Sequence, residues 1–173
     1  PTAMTIEVGP EGFDYESAEG MLVEVVSGTA DALTVTENFN LDRYGQFTVS
    51  AGTKLQPTQV HDAQTEAAEI ADLAQQNANN GLLIDDGNNA QNPDFYPNVA
   101  NTSAGDNGNG YLDSGDSFAA DGPTVRLGAE VSGTPTGVLT YAYGEWSVSA
   151  NAPVAFDPAT NEGSRPTEAP EVG

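Results

Sequence analysis

Acidic residues outnumber basic ones 26 to 4 in this 173-residue chain, and with a single histidine the formal charge is -22. That imbalance limits what the chain can fold into and what it can meet. It exceeds what solubility needs, so self-repulsion opposes compaction at low salt and screening relieves it. A basic stripe of the kind nucleic-acid binders carry could form only if Arg43, Lys54, Arg126 and Arg165 converged. An anionic membrane repels such a surface, and no apolar run approaches the roughly 20 residues that span a bilayer, so no membrane partner is expected. Cysteine is absent, which excludes disulfides and thiolate metal sites.

The chain is long enough for one domain with a sizeable core. Its 19 glycines and 11 prolines point to many turns. Met21 to Val26 reads as a first strand, Leu33-Thr34-Val35-Thr36 as a second, and Tyr44 to Val49 as a third, forming an antiparallel meander. Residues 63–79 have helical spacing in Ala63, Ala67, Ile70, Ala71 and Ala74, with Asp62 as N-cap and Asn79-Asn80-Gly81 as the stop. The alanine face predicts close packing against a sheet. Leu82-Leu83-Ile84 is a short strand. A polar excursion runs from Asn88 to about Asp121, of a length that tends to be functional or mobile. Val125 to Val131, Gly133 to Ala142 and Trp146-Ser147-Val148 supply further strand. Three strands, a helix, then two or three strands is the order of an OB-like barrel. The expected fold is therefore mainly β: a five-stranded OB-like barrel with one helix between strands three and four and a long polar loop. Residues 1–14 are expected to be an extension or strand lead-in, 15–152 the domain, and 153–173 a linker rich in proline.

The residues that could carry chemistry are few. His61 has no serine or cysteine partner recognisable in the sequence, and no catalytic residue is assigned. Asp85 and Asp86 could share a hard cation after their strand, or form an Asp-Gly turn with solvated acids. Asp106, Asp113 and Asp116 lie in the most glycine-rich loop, which offers calcium short oxygen ligands but lacks EF-hand spacing. Calcium is thus a possible ligand, and no cofactor is required. Phe39, Tyr44, Tyr141, Tyr143 and Trp146 could stack bases or sugars, or pack at half-buried strand positions. Arg43 and Lys54 flank the third strand and are the cationic candidates for phosphate.

Several blocks resemble a known family. Tyr15 to Val23, Leu33-Thr34-Val35-Thr36-Glu37-Asn38-Phe39-Asn40-Leu41-Asp42-Arg43-Tyr44-Gly45, Leu55 to Val60, Ile84-Asp85-Asp86-Gly87, Gln91-Asn92-Pro93 and Gly137 to Trp146 occur in the order found in large secreted bacterial nucleases. They are similar to the OB-like accessory domain that precedes the endonuclease/exonuclease/phosphatase module. One departure is Leu82-Leu83, where relatives carry a basic residue. The resemblance implies a secreted, extracellular, non-catalytic accessory domain, monomeric, whose partner is a neighbouring nuclease domain of the same chain and which binds single-stranded DNA weakly or positions substrate. The parent would be a DNase. Arg43, Lys54, Phe39, Tyr44 and Trp146 are the expected nucleic-acid face. The acidity fits a halophilic or marine relative. A structural spacer packing on the nuclease module, and a calcium-dependent or carbohydrate-binding module, are the competing expectations.

Overall fold

Alternation with period two organises the interior. Ile6 and Val8, Val23 and Val25, Val35, Phe47 and Val49, Leu82 and Ile84, Leu139, and Val148 are all buried, and in each case the residue between them on the strand faces the other way. The computed structural model describes residues 2–117 and 124–161. Its elements in chain order are β1 Met4–Val8, a 3-10 turn Tyr15–Ala18, β2 Leu22–Ser27, β3 Leu33–Glu37, α1 Leu41–Tyr44, β4 Phe47–Ala51, α2 Pro57–Val60 and α3 Ala67–Asn79. There follow β5 Leu82–Asp85, β6 Phe95–Ala100, β7 Tyr111–Asp113, β8 Val131–Ser132, β9 Thr136–Ala142, β10 Glu145–Ala150 and β11 Ala155–Phe156.

Among the described residues, seven strands form one sheet in the order β1-β2-β9-β10-β5-β4-β3. It curls into a half-barrel, so the fold is mainly β, with seven strands in the sheet where five were expected. The β1–β2 and β5–β10 pairs are parallel, and the other pairs are antiparallel. Strands approach closely at Gly137, which pairs with Val23 on one side and Ala150 on the other. A Cβ there would lie 2.2 Å from the Ser149 carbonyl oxygen, so only glycine permits this approach of backbone to backbone.

The polar excursion after Asn88 is organised. It contains the antiparallel pair β6–β7, and Tyr96, Val99 and Leu112 from it join the core. Val154 and Phe156, which fall in the stretch assigned to the linker, are also buried. The Phe156 ring meets Phe47 edge-on at 5.7 Å. The expected linker from 162 onward, with Arg165, and residues 118–123 of the excursion lie outside the described residues.

Three local expectations need correction. Tyr44 belongs to the helical turn α1, not to the third strand. Gly45 ends that turn in the left-handed conformation (φ 69°), with its N–H donating to the Leu41 carbonyl, a common way to stop a helix. The main helix begins at Ala67, one turn later than expected. Asp62 instead accepts from the Gln64 N–H at 2.7 Å, and Glu66 reaches back to the Asp62 N–H at 2.6 Å. This local turn competes with helix propagation. Finally, the alanine face is not packed: Ala67, Ala71 and Ala74 are exposed, while Ile70, Leu73 and Asn77 are half-buried. The stop holds as expected, because the buried Asn80 side chain accepts from the Ala51 N–H (2.8 Å) and donates to the Ala51 carbonyl (3.0 Å).

Candidate functional site: a groove at the mouth of the half-barrel

The ends of β3, β4, β5 and β10 surround a groove of about 540 Å³, within the range of small-molecule sites. One wall is aromatic. Trp146 opens β10, opposite Tyr141 of β9, so the two share the concave face with Leu139 and Val148 but project beyond the core. Phe13, Tyr15, Trp146 and Tyr141 form a chain of rings, with successive centroids 5.4, 6.1 and 4.9 Å apart. Of these, Phe13, Tyr15 and Trp146 line the groove. The Tyr15 hydroxyl is buried without a hydrogen-bond partner among the described residues, and burial pushes its pKa up to about 12.

The opposite wall carries Lys54, which follows β4 and extends across Gly81. A Cβ on Gly81 would lie 3.0 Å from the Lys54 Nζ, so the bare glycine before β5 leaves the space the lysine occupies. Burial lowers the Lys54 pKa, partly countered by the negative charge of Glu37. Among the described residues Lys54 has no carboxylate within 4 Å; the ion pair found there joins His61 Nδ1 to Glu66 Oε1 at 3.6 Å. Lys54 is thus a half-buried ammonium with no carboxylate in direct contact among the described residues. Glu37 and Glu145 also line the groove, along with Asn40, Gln46 and Asn79.

The five residues expected to face nucleic acid therefore divide. Lys54 and Trp146 both line the groove. Arg43, Tyr44 and Phe39 are not among its lining residues. Arg43 instead lies over the Tyr44 ring, 5.3 Å from its centroid, and Phe39 projects from the β3–α1 connection 84% exposed. Sequence reasoning missed Phe13, Tyr15, Asn40 and Gln46. The Phe13-Asp14-Tyr15 pair of rings just before a strand was the available signal.

The expected metal ligands are engaged with their own loops. Asp85 accepts from Gln46 Nε2 (2.5 Å) and the Gly87 N–H (2.6 Å). Asp86 accepts from the Asn88 N–H at 2.7 Å, and desolvation raises its pKa, with the neighbouring charge of Asp85 adding to the rise. Asp106 accepts from the Gly110 N–H at 3.2 Å. Asp113 accepts from Asn107, Asn109 and the Gly115 N–H. Desolvation alone would raise its pKa, but these hydrogen bonds outweigh it and hold the carboxyl below its ordinary value. The buried Asp116 accepts from Asn101 Nδ2 and the Asp113 N–H, each at 2.9 Å. Among the described residues, no group of three or more His, Cys, Asp or Glu side chains is arranged to hold a metal ion.

No helix of the described residues is long and apolar enough to cross a membrane. No curated protein and no solved structure matches the chain. A family model described as a domain of unknown function (DUF8508) matches residues 5–158.

Proposed function

The chain belongs to the DUF8508 family, a domain of unknown function. From the groove and the sequence resemblance we propose that it is a non-catalytic accessory domain that engages single-stranded nucleic acid weakly, in support of a neighbouring nuclease module of a secreted protein. The observation that carries this reading is that Lys54 and Trp146 line one groove. A cation and a ring lining one groove suit a phosphate and an unpaired base, and stacking contributes roughly 1–3 kcal/mol per base. A duplex hides its base faces, so single strands are preferred. The net charge of -22 slows encounter with any polyanion, which keeps the affinity low. The mainly β, half-barrel sheet and the order of sequence blocks similar to secreted nucleases support this reading.

The test is a fluorescence titration of the domain, read through its single tryptophan, with short single-stranded and duplex DNA at two salt concentrations. Single strands should bind more tightly than duplex. Lys54→Ala should weaken binding about tenfold, the worth of one hydrogen bond to a charged group, and Arg43→Ala should leave it unchanged. The structural-spacer reading has its own support: Leu55 (59% exposed) and Val60 (48%) lie in the segment leading to the exposed alanine face of α3. Absence of binding to either DNA form at millimolar protein would overturn the nucleic-acid reading and leave the spacer.

A further inference from the structure

Resting on that reading, we propose that the groove accommodates a single nucleotide unit, one ring against Trp146 and one anionic group at Lys54, and does not track a strand. Three features of the same cavity carry this. Its volume of about 540 Å³ is that of a site for one small ligand, not a channel. Lys54 is the one cation among its lining residues, and Glu37 and Glu145 line it as well. A second phosphate would therefore meet carboxylates, whose repulsion in a half-buried site is larger than in water. The polar groups that remain, the side-chain amides of Asn40, Gln46 and Asn79, offer both donors and acceptors, and these suit the edge of one base or sugar. Outside the groove, Arg43 is occupied with the Tyr44 ring and does not extend a cationic path from Lys54.

The recognised chemistry is thus a flat ring joined to one anion. It could be supplied by a free mononucleotide or by one nucleotide of a single strand. Calorimetric titrations with inorganic phosphate, thymidine, thymidine 5′-monophosphate, and oligothymidylates of increasing length separate the contributions. The monophosphate should bind more tightly than either phosphate or the nucleoside. Affinity per nucleotide should change less than about threefold from the monomer to a strand of eight. The logarithm of affinity should fall against the logarithm of salt with a slope of about -0.7, the value for one phosphate contact on a single strand. Lys54→Ala should flatten that slope and reduce monophosphate binding to the level of thymidine. A per-nucleotide affinity rising tenfold or more with length, or a slope steeper than about -2, would overturn the single-unit proposal while leaving nucleic-acid binding intact. Phosphate binding as well as the monophosphate would overturn the part played by the ring. Failure of every nucleic-acid ligand to bind would instead remove the reading on which the proposal rests.

Discussion

Gly137 offers the sharpest test of how closely β9 and β10 approach. It is the second residue of β9, paired with strands on both sides. Replacing it with alanine would put a methyl group 2.2 Å from the Ser149 carbonyl oxygen, 2.7 Å from Val148 Cγ1 and 2.8 Å from the Ser149 carbonyl carbon. Two of these three atoms are backbone and cannot rotate away, so β10 must separate from β9 locally. Overpacking a core costs typically 1–3 kcal/mol, and a clash with backbone belongs at the upper end, at about 3 kcal/mol. For a domain of this size that corresponds to a fall of roughly 6–12 °C in melting temperature. The sign is informative, because in an uncrowded strand alanine is favoured over glycine by roughly 0.5–1 kcal/mol. Thermal melts followed by circular dichroism at one fixed salt concentration read the effect. Gly9→Ala is the control, since its new methyl would meet nothing closer than 3.5 Å. A Gly137→Ala protein that melts within about 2 °C of the parent, about half a kcal/mol, would refute the close approach of β10 to β9 at this position.

Other outcomes follow from single groups. Tyr15→Phe removes a buried hydroxyl that lacks a partner and should stabilise the fold by about 1 kcal/mol in denaturant titrations. Because burial raises the folded pKa of Tyr15 to about 12, the unfolded chain ionises first, so stability is unaffected below the ordinary value near 10 and falls as pH rises from there through 12. The parent should therefore weaken across that window more steeply than the Tyr15→Phe variant. Tyr143 is 92% exposed with φ at 56° beside Gly144 at 90°, a pair of left-handed residues that hairpin turns usually fill with Asn-Gly. Tyr143→Asn should raise stability by about 0.5–1 kcal/mol, and an unchanged or lower melting temperature would count against strain at that turn. Raising sodium chloride from 0.1 to 1 M shortens the screening length from about 10 to about 3 Å and should raise the melting temperature. Calcium chloride at matched ionic strength should do no more than sodium chloride unless carboxylates chelate the ion.

The strands were legible because their signal is local. Leu33 to Thr36 and Leu82 to Ile84 alternate or run apolar between turn residues, and both became strands. β1 escaped because a five-residue parallel edge strand far from its turn partner has no hairpin signature. Its Ile6 pairs beside Val25 and its Val8 beside Ser27 of β2, and no hairpin spacing announces that pairing. The start of α3 was misplaced because Asp62 and Glu66 look like a helix cap in sequence yet close a turn on each other. The groove was half legible: a lone lysine and the sole tryptophan could be singled out by type. Their sharing one groove depends on the parallel β5–β10 pair, which brings β10 beside a strand 64 residues earlier in the chain. Phe13 and Tyr15 enter the wall through the β1–β2 connection, held there by the long-range β2–β9 pair, and no spacing in the sequence announces it.

The indole N–H of Trp146, the one tryptophan of the chain, gives a single resolved proton–nitrogen correlation in an NMR spectrum and reports directly on the groove wall. This peak should move progressively as a short single-stranded oligonucleotide is added, duplex should leave it nearly still, and Lys54→Ala should reduce the movement at equal ligand concentration. An indole peak unmoved by millimolar single strand would contradict the groove as the nucleic-acid site.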